Sequence, residues 1–261
     1  MMQRYQLFEI ADQPWLPSFL RDYITDYLQY VVATQRPYDH IVPQLLAGLR
    51  GAEAEQIVDL CSGAGGPWPA LLDRLADAGP RPALTLTDRY PHRHAVLTVP
   101  WLEADARDVP IQGAALRTIF AGFHHFPPED AQAILRDAAR AGQGLLVVEG
   151  TERNVTSIVA VLLSTIACLV LTPFIPRRTV GRFLFTYLIP LVPFIVLFDG
   201  IVSSLRTYSA DEMRALAVAA VPQGYEWTAG RTEVPRSPLA ITWLLGVPAQ
   251  SKGHAMSDGH P

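Results

Sequence analysis

The sequence predicts an α/β protein built on a parallel sheet with helices on both faces. Three observations carry this: short apolar runs alternate with helical stretches from Gln56 onward, a glycine-rich turn follows the first run, and two strands joined by a proline turn close the chain. The four runs are Gln56 to Leu60, Ala83 to Thr87, Leu116 to Phe120 and Leu145 to Glu149. Such runs suit strands buried on both faces, and the segments between them are long enough for crossover helices.

Taken in order, residues 1–50 predict an N-terminal helical cap. After Pro14 to Pro17, Phe19, Leu20, Tyr23, Ile24, Tyr27, Leu28 and Val31 recur at three- and four-residue steps, the spacing of one helix face. Residues 51–154 predict a cofactor-binding core. Its first helix opens at Pro67, which lacks the amide that a first-turn residue does not need, and presents Leu71, Leu72, Leu75 and Ala76; a second helix runs from Pro128 to Ala141. Residues 155–208 form an apolar helical insertion. Residues 209–249 complete the core, with a helix capped by Ser209 and Glu212 and running to about Ala220, then strands at Tyr225 to Val234 and Leu239 to Val247 paired antiparallel through Pro235 to Pro238. The polar tail at 250–261 is expected to be disordered.

Composition narrows the function. The chain has 261 residues, a formal charge of −4 and a single lysine, Lys252, so it carries neither the basic footprint of a nucleic-acid binder nor a lysine suited to core chemistry. Cys61 and Cys168 lie far apart and indicate no disulfide framework. With Glu9, Asp12 and Pro14 interrupting the N-terminus, no signal-peptide pattern is present, and a cytoplasmic location is expected. Asn154-Val155-Thr156 matches a glycosylation sequon but carries no weight without export.

The turn after the first strand reads Ile57-Val58-Asp59-Leu60-Cys61-Ser62-Gly63-Ala64-Gly65-Gly66. Glycines at a strand-to-helix turn let a backbone approach a polar cofactor closely, and Asp59 is placed to hold the loop amides or a cofactor group through water. A dinucleotide fingerprint would require a glycine at position 68, where Trp68 stands. Asp88 ends the second strand, where an acid accepts both hydroxyls of a ribose; Asp105 comes one strand later, where it can accept a proton from an adenine amino group. Ribose is common to dinucleotides and adenosyl cofactors, so Asp88 does not discriminate between them, and it is Asp105 that favours an adenosyl cofactor.

With Val58 to Gly66, Thr85 to Arg89, Glu103 to Pro110 and Gly122 to Asp130 in this order, the sequence resembles the class I S-adenosylmethionine-dependent methyltransferases over roughly Gln56 to Gly150 and the terminal strand pair. The resemblance implies a Rossmann-like seven-stranded sheet of order 3-2-1-4-5-7-6, the last strand antiparallel. It also implies S-adenosyl-L-methionine above the carboxyl ends of strands 1 and 2, held by Asp59, Cys61, Gly63, Ala64, Gly65, Asp88, Arg89, Asp105 and Ala106. Asp59 to Gly66 is also similar to RNA ribose methyltransferases, whose lysine-rich tetrad cannot form here; nor does Gly122-Phe123-His124-His125 match the Asn/Asp-Pro-Pro-Tyr motif of amino-directed nucleic-acid enzymes. Small-molecule acceptors remain, with no nucleic-acid partner.

Methyl transfer is an in-line displacement governed by orientation, and a base is optional. For a hydroxyl acceptor, His124 or His125 is the candidate catalytic base; the alternative is that the tandem is pocket wall. No metal cluster is apparent. The run Val155 to Pro176 is uncharged and matches the length of a membrane span, about 20 residues, while Phe183 to Phe198 is shorter and split by Pro190 and Pro193. Arg177, Arg178 and Arg182 lie between them, so a spanning hairpin would violate the positive-inside tendency. A monotopic hairpin on the inner membrane face, a homodimer interface and a greasy lid each avoid that conflict. Asp199, Arg206 and Tyr208, with Tyr27 of the cap, are candidate acceptor-binding residues, although Asp199 and Arg206 could instead pair with each other. The expected activity is methylation of a hydrophobic small molecule or lipid-like acceptor; the alternative is a non-catalytic cofactor-binding module whose insertion mediates membrane association or dimerisation.

Overall fold

A computed structural model describes residues 2–79, 81–90, 97–235 and 237–249. The polar tail predicted at 250–261 lies outside the described residues. The elements in chain order are α1 (Ser18–Gln35), α2 (Val42–Gly51), β1 (Gln56–Leu60), α3 (Trp68–Ala78), β2 (Ala83–Asp88), β3 (Trp101–Glu103), β4 (Ala115–Phe120), α4 (Pro128–Arg140), β5 (Gly144–Glu149), α5 (Val155–Leu171), α6 (Val180–Phe183), α7 (Leu191–Arg206), α8 (Ala210–Ala220), β6 (Tyr225–Glu233) and β7 (Ala240–Pro248). The strands form one sheet of order β3-β2-β1-β4-β5-β7-β6. The first five are mutually parallel, and β7 runs antiparallel to both β5 and β6. This is the predicted sheet, including its order and the direction of its last strand.

Alternation along the strands splits the core in two. Val58, Leu60, Leu145 and Val147 face α4 and α8, with Ile134, Leu135 and Met213. Ile57, Leu86, Leu146 and Val148 face α2 and α3, with Leu45, Leu71 and Leu75. Burial of each large aliphatic side chain contributes about 1.5–3 kcal/mol, and this two-sided cover makes the central strands read as unbroken apolar runs. The first crossover helix begins at Trp68 rather than Pro67, which caps it. The Trp68 indole, fully buried, meets the Phe120 ring edge-on at 5.6 Å between centroids. The Ser209 and Glu212 capping box forms on both sides, as the sequence predicts.

A third apolar cluster lies apart from the sheet, where α1 packs against the insertion. Leu20, Ile24 and Tyr27 of α1 meet Cys168 of α5 and Val192, Ile195 and Val196 of α7. Asn154 of the sequon is the helix cap of α5: its side-chain oxygen accepts the Ser157 N–H at 2.8 Å, an arrangement worth about 1 kcal/mol. The face of α5 turned away from α1 carries Val155, Val159, Leu162, Leu163, Ile166 and Val170, all exposed. The helix Val155–Phe174 is long and apolar enough to cross a membrane, and most of it is not buried within the protein.

Candidate functional site

The parallel register sets Asp59 of β1 beside Leu86 of β2, so the turn leaving β1 meets the end of β2. There the Gly63 N–H donates to Asp88 Oδ2 at 2.9 Å and the Tyr90 N–H to Asp88 Oδ1 at 2.7 Å. Ser62 fastens the turn from within, its N–H donating to the Thr87 carbonyl and its hydroxyl to the Asp59 carbonyl. The turn needs left-handed backbone at Gly63 (φ 53°) and Gly65 (φ 105°), and Cys61 adopts it too, at φ 57°. Glycine takes this conformation freely; in cysteine it is backbone strain held by the surrounding turn. From above, the Gln29 side chain of α1 donates to the Gly66 carbonyl.

Over the carboxyl ends of β1, β2 and β4 opens a cavity of about 720 Å³, within the size range of small-molecule and cofactor sites. Cys61, Gly63, Asp88, Arg89, Asp105 and Ala106 line one side of it. Ala11 and Asp12, with Ser18, Arg21, Asp22 and Thr25 at the start of α1, line another, and Gly122, His125 and Phe126 close the β4 end. The cap therefore supplies a wall of the cavity. Asp59, Ala64 and Gly65 stand behind this surface. Asp59 is buried and accepts the Thr118 hydroxyl at 2.6 Å, and burial pushes its carboxyl up to about 7 against that bond. It props the loop from beneath; the expected direct or water-mediated hold on a cofactor is not available to a side chain sealed in this way. Asp105 is bound to Arg107, whose side chain donates to Oδ1 at 2.9 Å and Oδ2 at 2.6 Å and holds the carboxyl down at about 2. An adenine amino group would have to share those oxygens with the guanidinium.

The two histidines separate in role. His124 is buried, donates from Nδ1 to Glu149 Oε2 at 2.8 Å, and turns Nε2 toward Glu9 Oε1 at 3.6 Å. Burial alone would favour its neutral form, but Glu149 and Glu9 outweigh that and push the ring up to about 10. Both His124 nitrogens face carboxylates and its ring is buried beside the cavity, the arrangement of a packed positioning group, which is the alternative the sequence offered to a catalytic base. His125 is part of the wall, with Nδ1 2.8 Å from Asp12 Oδ2. The rings lie 4.4 Å apart at 31°.

The four candidate acceptor residues lie outside this cavity. The Tyr27 hydroxyl donates to the Ser164 carbonyl at 2.5 Å and so ties α1 to α5. Asp199 accepts the Ile10 and Ala11 N–H groups at 2.7 and 2.9 Å. Arg206, instead of pairing with Asp199, reaches Glu9 at 3.2 Å and Asp12 at 3.5 Å and donates to the His124 and His125 carbonyls. The Tyr208 hydroxyl donates to the Phe126 carbonyl, under the Arg4 guanidinium. Three of the four hold the N-terminal segment and the histidine turn in place. Sequence reasoning missed the partners. Glu9 and Asp12 read only as interruptions of an N-terminal apolar pattern and Glu149 as the end of a strand, since none lies in a motif.

No protein-family model matches the sequence, and no curated protein is significantly similar to it. Among solved structures, PigF with SAH is 20% identical, with 90% of this chain and 63% of that one aligned at a TM-score of 0.50. The mitomycin 7-O-methyltransferase MmcR is 19% identical over 81% of this chain and 54% of its own, at 0.45, and LepI complexed with SAM 14% identical over 74% and 43%, at 0.44. The chain thus spans less than two thirds of the length of each. At these identities the likeness is one of fold, and the fold is that of the class I S-adenosylmethionine-dependent methyltransferases.

Proposed function

We propose that the chain is an S-adenosylmethionine-dependent methyltransferase for a hydrophobic small-molecule or lipid-like acceptor taken from a membrane surface. The observation that carries the cofactor reading is the Gly63 to Asp88 junction on the cavity wall. At Asp88, the Gly63 and Tyr90 amides each donate to one oxygen, and this carboxylate lies on the cavity wall at the end of β2, where an acid accepts ribose hydroxyls. In support stand the neighbours of the same fold described with SAM or SAH.

The chemistry asked of the protein is placement. The methyl sulfonium is itself the electrophile, so the cavity has to bring the acceptor atom in line with the carbon–sulfur bond and keep water out. With Asp88 and the glycine turn fixing the nucleoside at one side, the acceptor is left the end beside His125, Asp12 and Phe126.

For the acceptor, α1 is the link. One side of it lines the cavity with Ser18, Arg21, Asp22 and Thr25, while another packs into the insertion through Leu20, Ile24 and Tyr27. The insertion turns outward the apolar face of α5, with Arg178 exposed at its end and Arg177 paired with Asp26 at 3.0 Å, apolar area with a basic edge as suits an anionic bilayer surface. Because α1, in the same helical layer, carries Arg21, Asp22 and Asp26, the reading is of a layer lying on one leaflet. The deciding experiment incubates labelled S-adenosylmethionine with the protein and fractionated membrane and soluble extracts and identifies the labelled product. A labelled apolar product supports the reading, whereas cofactor binding with no transfer to any fraction supports the non-catalytic module.

A further inference from the structure

Glu9, His124 and His125 converge beside the cavity in a way that hydrogen bonding leaves incomplete. His124 donates from Nδ1 to Glu149 Oε2 at 2.8 Å. That bond fixes the ring so that Nε2 points away from Glu149, and Nε2 is buried with no hydrogen-bond partner. It faces Glu9 Oε1 at 3.6 Å, and His125 Nδ1 faces Glu9 Oε2 at 3.8 Å. One ligand atom from each of the three residues lies within 4.8 Å of the others. These gaps exceed a hydrogen bond, yet they are close to the separation of about 3.3–3.4 Å between ligand atoms of a tetrahedral cation with bonds of about 2.0–2.1 Å. A buried imidazole nitrogen facing a carboxylate needs something positive between them, either a proton on Nε2 or a cation that displaces it.

We propose that Glu9, His124 and His125 hold a divalent cation of the zinc class at the acceptor end of the cavity, with Asp12 within reach as a fourth ligand. The donor set is two imidazoles and carboxylate oxygen, which suits zinc better than the all-oxygen sites of magnesium or calcium. Its supporting shell is already built. Glu149 orients His124, as a carboxylate orients a metal-bound histidine, and Ser203 Oγ at 3.0 Å and Arg206 at 3.2 Å brace Glu9. The charge also balances: the carboxylates of Glu9, Asp12 and Glu149 surround the one guanidinium of Arg206, and a dication supplies the missing two positive charges with both imidazoles neutral. On binding, His124 Nε2 and His125 Nδ1 each give up a proton; that of His124 leaves for solvent, and that of His125 leaves for solvent or is carried on its Nε2.

His125 and Asp12 belong to the cavity wall, so a cation here could take an acceptor oxygen as ligand and favour its deprotonated form before methyl transfer. This last step rests on the methyltransferase reading; the site itself does not.

The test uses the full chain, stripped with chelator and checked for folding by circular dichroism, then titrated calorimetrically with zinc alone and, separately, with S-adenosylhomocysteine. One equivalent of zinc is expected, with proton release and with a tetrahedral absorption signature when cobalt(II) replaces it. Glu9→Gln and His124→Gln are expected to abolish that equivalent, and Glu149→Gln to weaken it about 10–100-fold. If His124→Gln does not fold, Glu9→Gln, similar in shape, decides. Absence of saturable uptake by the folded chain overturns the proposal. So does uptake that Glu9→Gln leaves intact, which would place the ion elsewhere. Zinc uptake without S-adenosylhomocysteine binding keeps the metal site and removes the methyltransferase reading; the reverse removes the site alone.

Discussion

Replacing Asp88 separates the cofactor reading from the fold. Its carboxylate accepts the Gly63 amide at 2.9 Å and the Tyr90 amide at 2.7 Å and lines the cavity proposed to hold the ribose. Hydrogen bonds to a charged group contribute about 1.5–3 kcal/mol each, so two ribose hydroxyls at the low end of that range make about 3 kcal/mol. At 1.4 kcal/mol per tenfold, Asp88→Ala should weaken S-adenosylhomocysteine binding on the order of 100-fold. Asp88→Asn, which keeps the shape and one carbonyl acceptor but loses the charge, should weaken it on the order of 10-fold. Isothermal titration against the product avoids turnover, and a thermal melt of each variant reports separately on the loop. Water can replace the carboxylate at the exposed Tyr90 amide, so the melts should move by only a few degrees. If Asp88→Ala binds S-adenosylhomocysteine as tightly as the parent while melting normally, the ribose is not held there and the cofactor placement is wrong.

Three further outcomes follow from other parts of the molecule. Asp59, raised to about 7 by burial, binds its proton more tightly in the folded chain than in the unfolded one. Its contribution is therefore full at low pH and is lost as pH rises from about 4 through about 7. Asp59→Asn should flatten that part of the stability profile in urea melts; an unchanged slope would contradict it. Tyr27→Phe removes the hydroxyl that donates to the Ser164 carbonyl and should cost about 1 kcal/mol in chemical denaturation while S-adenosylhomocysteine affinity stays the same. A loss of affinity instead would return Tyr27 to the binding site. On the outer face of α5, Leu163 and Ile166 are 60% and 59% exposed, so Leu163→Glu with Ile166→Glu should fold normally. The double variant should no longer float with anionic vesicles, and flotation equal to the parent's would remove α5 from the membrane contact.

Strands and helices were legible because their signals are local. The apolar runs at Gln56 to Leu60 and Leu145 to Glu149 and the Ser209 to Glu212 box each lie within a few residues, and all appear where the sequence places them. The start of α3 moved by one residue because Pro67 serves equally as cap or first-turn residue. The candidate acceptor residues read less well for the opposite reason. Tyr27, Asp199, Arg206 and Tyr208 are polar groups near apolar segments, a pattern shared by pocket walls and by interhelical ties, and only their partners distinguish the two.

The sequence by itself determined the strands and the glycine turn with Asp88 beside it, since a strand, a tight turn and the next strand end are dictated by periodicity and chain connectivity, while the sheet order came from the resemblance to the class I methyltransferases. Tertiary structure alone decided which histidine meets the cavity. It set Glu9 beside Arg206, 197 positions away, and turned His124 from a candidate base into one corner of a buried cluster. A side chain's neighbours across the fold are fixed by how helices pack on the sheet, and that packing leaves no local pattern in the order of the residues.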